Sequence, residues 1–149
     1  MTGGLPETSK YMSQTPRVGI GVLVQKGDQF LFAKRKNAHG EGLWGGVGGH
    51  LEHLESFAEC AKRETMEEVG IEIGNIRFLC VTNFKDHAPK HYVDIGLLAD
   101  WVSGEAKNLE PDKKEEVQWF GRDNLPEPLF GMMPNYLKAM ETGEQYFDA

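Results

Sequence analysis

Six glycines, Gly40, Gly42, Gly45, Gly46, Gly48 and Gly49, fall within ten consecutive positions. So dense a run is poor material for a regular element and reads as a long, shaped loop. Loops of that length inside a compact domain are often functional. The next stretch of chain is the opposite case. Ser56 and Glu59 have the spacing of a capping box, Ser at the N-cap and Glu three residues on. Gly70 sits where a left-handed residue stops a helix. The pattern predicts a helix from about Ser56 to Val69, with Glu64, Glu67 and Glu68 on one face across about 100° of arc. Ala58, Ala61, Thr65 and Val69 form an adjoining stripe of small side chains. Such a stripe lets the helix lie close to a sheet and holds the carboxylates at its border.

Local stability does not favour this arrangement. Like charges three and four residues apart repel by about 0.2–0.5 kcal/mol per pair, and these lie toward the helix C-terminus, where the macrodipole disfavours anions. A divalent cation removes the conflict, because Mg²⁺ prefers carboxylate oxygen and completes its shell with water and phosphate. Taken alone, the three glutamates also fit a solvated acidic face partly compensated by Lys62 and Arg63. The glycine-rich stretch ahead of them tips the balance toward a site.

At 149 residues the chain suits one domain, and its composition is that of a water-soluble protein. There is no apolar run long enough for a transmembrane helix, and the first sixteen residues lack the apolar stretch of a secretory signal. Residues 1–16 read as a flexible leader and 17–149 as a single domain. Cys60 and Cys80 have neither zinc-site nor disulfide-scaffold spacing, which suits buried thiols in a cytoplasmic protein. A net charge of −7 argues against a nucleic-acid polymer as partner, and nothing points to a membrane. A small phosphorylated ligand remains compatible if cations gather locally.

Two β-prone runs around Gly27-Asp28 predict a hairpin from Val18 onward. Further strands are expected at 76–83, 91–100 and 116–120, and a second helix begins near Pro134. Mostly strands, with one early and one late helix, imply a mixed sheet with helices on its faces.

The segment from Gly49 to Ile71 resembles the Nudix box, G-x5-E-x7-R-E-U-x-E-E-x-G-U, where U is bulky and aliphatic. Gly49, Glu55, Arg63, Glu64, Glu67, Glu68, Gly70 and Ile71 match in register, and Thr65 stands at one U position. The resemblance implies an α/β/α sandwich with a mixed β-sheet and a loop–helix–loop box. It also implies that Glu64, Glu67 and Glu68 ligate Mg²⁺ (or Mn²⁺ in its place), joined by the carbonyl of Gly48. Glu64 is the candidate for activating water, Arg63 for orienting the carboxylates, and Glu55 for bracing Arg63. The sequence departs from the family's habit at Gly46-Val47, commonly Leu-Pro, and at Leu54, commonly glycine.

The Gly48–Glu52 stretch and the ETMEE helix look most like MutT-like nucleoside triphosphate diphosphatases, which release a nucleoside monophosphate and pyrophosphate. On that likeness Glu115 or Glu116 supplies a further metal ligand, though a charged loop before an edge strand has the same composition. Lys34 and Arg35, with Lys36, end the second strand and add positive charge for phosphate, or serve as an ordinary solvated strand end. Phe130 and Gly131 are candidates for the wall of a base pocket. The alternatives are hydrolysis of ADP-ribose, a dinucleotide polyphosphate or a nucleotide sugar, and a non-catalytic nucleotide sensor. A homodimer is compatible with the family resemblance.

Overall fold

The computed structural model describes residues 14–37 and 39–148; the expected leader lies outside them as far as position 13. In chain order the elements are β1 (Arg17–Lys26), β2 (Gln29–Arg35), β3 (Trp44–Gly45), β4 (Val47–His50), α1 (Phe57–Val69), β5 (Glu72–Phe84), β6 (Tyr92–Ser103), β7 (Lys114–Gly121), α2 (Met133–Thr142) and β8 (Tyr146–Phe147).

The hairpin turns at Gly27, whose φ of 63° suits a residue without a side chain. Only Gln25↔Phe30 and Lys26↔Gln29 pair before β1 and β2 part. The freed edge of β1 is taken by β4, antiparallel over Gly19–Val22. Its other edge pairs with β6 in parallel, and β5 and then β8 continue the sheet. β2 instead carries β3 on one side and β7 on the other. The result is one mixed sheet split open between β1 and β2.

The glycine-rich stretch is therefore not a loop throughout, contrary to the expectation from its composition. Its second half forms β3 and β4, because here glycine serves close approach more than turning. A Cβ on Gly48 would lie 2.3 Å from the Ile20 carbonyl oxygen. Without one, the strand can lie against β1.

Alternation along β1 sends Ile20, Val22 and Val24 into a core shared with Cys60, Ala61 and Val69 of α1. Leu23 points the other way, into a core with Phe30, Phe32, Met133 and Tyr136, the last two from α2. The two helices thus cover opposite faces, which gives the α/β/α sandwich. Helix α1 begins with the complete capping box: Glu59 N donates to Ser56 Oγ at 3.0 Å, and Ser56 N donates to Glu59 Oε1 at 2.7 Å. Gly70 ends it at φ 72°. The small-residue stripe is buried from Ala61 onward, but Ala58 is exposed and Cys60 packs in its place. Ala58 lies in the first turn, before the helix reaches the sheet. Both cysteines are free and buried, and no helix among the described residues is long and apolar enough to cross a membrane.

Candidate active site

The site begins where α1 crosses β4. A Cβ on Gly49 would sit 2.1 Å from Glu64 Oε2, so the missing side chain is the space that the Glu64 carboxylate occupies. Arg63 is the hub beside it. Its Nε donates to Glu55 Oε2 at 2.7 Å and one terminal nitrogen to Glu55 Oε1 at 3.0 Å. The other terminal nitrogen donates to Glu64 Oε2 at 3.0 Å and lies 3.5 Å from Glu67 Oε1. The fork of the guanidinium meets Glu55 with two parallel bonds, a geometry that fixes orientation as well as charge. Hydrogen bonding to Arg63 drives the Glu55 carboxyl down to about 2, and the same bond pushes the Arg63 guanidinium well above its ordinary value.

Glu68, one helical turn on from Glu64, is buried. Its Oε2 accepts from the Gly48 backbone N–H at 3.3 Å, and its Oε1 lies 3.1 Å from Lys114 Nζ. Burial raises the Glu68 carboxyl above the usual range, while Lys114 acts against that rise. Burial pulls the Lys114 ammonium down, but Glu68 and Glu110 outweigh it and leave it raised. Glu110 Oε1 completes the cluster, 2.9 Å from the same ammonium.

These groups border a cleft of about 920 Å³. Gly48, Gly49, Glu64, Glu68, Glu110 and Lys114 line one part. Arg35 and Phe130 line another, with the guanidinium 3.8 Å from the ring centroid and Arg35 Nε donating to the His39 carbonyl at 2.8 Å. His87 and Phe84 continue this aromatic wall. Asp94 and Tyr136 also line the cleft. The Tyr136 ring lies where side chains on Gly21 and Gly96 would otherwise be, and its hydroxyl donates to Asp94 Oδ2.

Not every candidate from the sequence reaches this cleft. Glu115 does not line it: the register of β2 with β7 runs Lys34↔Glu116 and then Arg35↔Lys114, so Glu115 is the extra residue of a bulge. Its carboxylate lies 3.4 Å from Lys34 Nζ, and Lys34 is also outside the lining because alternation along β2 gives the cleft Ala33 and Arg35. Gly131 is a turn residue at φ 58° rather than a wall. Glu67 is exposed, lies outside the lining, and has its carboxylate turned to Arg63. Sequence reading misses Lys114, Glu110, Asp94 and Tyr136. The signal for the first is present in the run Asp112–Glu116, but the bulge decides which of its charges turns inward.

Among the described residues no three His, Cys, Asp or Glu side chains converge closely enough to cage a metal unaided. The donor set still suits Mg²⁺, which is commonly held by one or two carboxylates with water and substrate phosphate in the other positions. Glu64 and Glu68 are two hard-oxygen donors at the cleft wall, beside the backbone of Gly48 and Gly49.

The chain belongs to the Nudix family of hydrolases. The NUDIX domain model matches residues 15–141. A MutT NUDIX hydrolase from Burkholderia pseudomallei has the same fold, with a TM-score of 0.78 and 38% identity over 83% of this chain and 97% of that one. The NAD-capped RNA hydrolase NudC of Pseudomonas aeruginosa is 36% identical over 117 residues, 77% of this chain. The chain spans about 40% of the length of that relative. The NUDIX domain of Shewanella oneidensis NrtR, solved with ADP ribose, shares the fold at a TM-score of 0.71 and 20% identity, over 95% of this chain and 97% of that one. Members of this family generally work with divalent metal ions.

Proposed function

We propose that the domain over residues 17–149 hydrolyses a nucleoside triphosphate to the monophosphate and pyrophosphate with Mg²⁺, for which Mn²⁺ can substitute. The observation that carries this reading is the contents of one cleft: paired carboxylates against a glycine backbone, and a cation-capped aromatic wall. Glu64 and Glu68 would hold the metal, with Glu67 and the Gly48 carbonyl as further oxygen donors. When bound, the metal lowers the pKa of its water and neutralises charge on the phosphoryl oxygens. The remaining work belongs to the chain's own residues. Arg63, locked by Glu55, keeps the Glu64 carboxylate oriented at the cleft wall, where it would take the proton of the attacking water. Arg35 and Phe130 receive the nucleotide's base and phosphate, and Lys113 at the rim adds positive charge.

A second reading rests on the relatives named NAD-capped RNA hydrolases. A dinucleotide diphosphate presents the same anhydride, and about 920 Å³ is at the large end of ligand pockets. Products separate the two. Triphosphates would give pyrophosphate, whereas NAD-like dinucleotides, ADP-ribose or nucleotide sugars would give two monophosphates. The test is a panel of canonical and oxidised triphosphates, ADP-ribose and dinucleotides with Mg²⁺, wild type beside Glu64→Gln and Glu67→Gln. Pyrophosphate release that both variants lose supports the first reading. Binding without turnover of any member would replace it with a nucleotide sensor.

A further inference from the structure

The carboxylate best placed to bind a metal already holds a cation. Glu68 and Lys114 are 3.1 Å apart with side chains only 7% and 12% exposed, so solvent screens their attraction little. The lysine is not a loose surface group swung inward. Its own turn is built around it: Asn108 Nδ2 donates to the Lys114 carbonyl at 2.7 Å, and Asn108 Oδ1 accepts from Glu110 N at 3.1 Å. Lys114 N donates to the Glu110 carbonyl at 2.9 Å, and Leu109 N donates to the Glu68 carbonyl at 3.1 Å. The backbone that ends the carboxylate helix is therefore tied to the backbone that carries the lysine. Glu110 then grips the ammonium from a second side.

We propose that Lys114 is a tethered place-holder for the divalent cation. It holds the Glu68 carboxylate in position while the metal is away, and it leaves that carboxylate when a metal–nucleotide complex arrives. The inference rests on Glu68 being a metal ligand, as the proposed function has it. A divalent ion on Glu68 would share one carboxylate with an ammonium, and the two like charges repel strongly at such range. Incoming phosphate offers the displaced ammonium a new partner inside the same cleft, which Lys114 already lines. Metal alone must evict the lysine without that compensation. Bare metal therefore binds weakly, and metal and nucleotide bind with positive coupling.

The experiment measures Mn²⁺ affinity of the full chain by electron paramagnetic resonance, with and without a non-hydrolysable imido nucleoside triphosphate. Lys114→Met removes the competing charge at similar length, and Lys114→Arg keeps a charge. The expected result is that Lys114→Met binds bare Mn²⁺ about tenfold more tightly than wild type, within the usual range of coupling, while the effect of the nucleotide shrinks. Lys114→Arg should stay near wild type. Bare Mn²⁺ binding that is unchanged or weaker in Lys114→Met overturns the place-holder. If that variant does not fold, ¹⁵N-lysine spectra of the wild type decide, with the Lys114 ammonium signal assigned by Lys114→Arg. The signal should move when Mg²⁺ and the imido analogue are added together, and a signal that stays put overturns the inference. Glu68→Gln isolates the underlying reading: if it leaves Mn²⁺ binding intact, the metal-site assignment fails, and this inference fails with it.

Discussion

Asp94 is a buried carboxylate whose cost to the fold can be worked out and measured. Burial pushes it up to about 6 from an ordinary 3.8, although the hydrogen bond from Tyr136 pulls the other way. That difference corresponds to about 3 kcal/mol between the charged and neutral forms. The folded value lies above the unfolded one, so folding takes up a proton between these two values. Stability from this group is greatest in acid, declines as the pH rises from about 4 to about 6, and stays low above that. Asp94→Asn keeps a carbonyl to accept from Tyr136 and removes the charge. It should stabilise the protein by about 2–3 kcal/mol at pH 8, roughly 5–10 °C in Tm for a chain of this length, and by almost nothing near pH 4. Urea unfolding of both proteins at the two pH values, with m-values compared, reads this directly. An equal effect at both pH values, or a loss at pH 8, would refute the assignment of a buried ionised carboxylate.

Three further outcomes are expected. Thr65 Oγ1 is fully buried without a hydrogen-bond partner, so Thr65→Val should raise the urea midpoint by the equivalent of about 1 kcal/mol; a lower midpoint would show that the hydroxyl is satisfied. Glu55→Gln breaks the two-bond clamp on Arg63 and should weaken Mn²⁺ binding by about 10–100-fold while circular dichroism stays unchanged. Undiminished affinity would mean that the Glu64 carboxylate does not depend on this brace. Gly49→Ala places a methyl where the Glu64 carboxylate now sits and should cost about 1–3 kcal/mol of stability together with metal affinity. Titration calorimetry with Mn²⁺ and a thermal melt check both halves of that statement.

Where structure is legible in the sequence, the code is local. Ser56 with Glu59, Gly70, Gly27-Asp28 and Pro134 each act within a few residues, and each marks the boundary it foretells. The register of the box helix brings Glu64 and Glu68 together at the cleft, whereas Glu67, expected beside them, is exposed and turned to Arg63. The misreadings share a different cause. Short strands at β3 and β4 are hidden because glycine signals flexibility locally, whereas here it signals another chain segment at contact distance. Glu115 stands out in the sequence where Lys114 does not, because one bulged residue inverts the inward side, and a bulge depends on the partner strand. Asp94 and Tyr136 are 42 residues apart and meet only because α2 lies over two glycines of the sheet. Arg35 and Phe130 are each legible as candidates from the sequence. Their stacking depends on the hydrogen bonds between Trp44 and the segment 128–130, which no local pattern announces.

The parting of β1 from β2 has an evolutionary consequence. The carboxylates proposed to hold metal ride on α1, beside β4, which leans on β1, whereas Arg35 and Phe130 belong to the half built on β2 and β3. Only two residue pairs join the hairpin strands, so the two halves meet along a short seam. A substitution that reshapes the β2 half changes the aromatic wall of the cleft while leaving the carboxylate half in register. Descendants of such a scaffold can exchange one substrate for another in small, tolerated steps, and their substrate preference will diverge sooner than their chemistry.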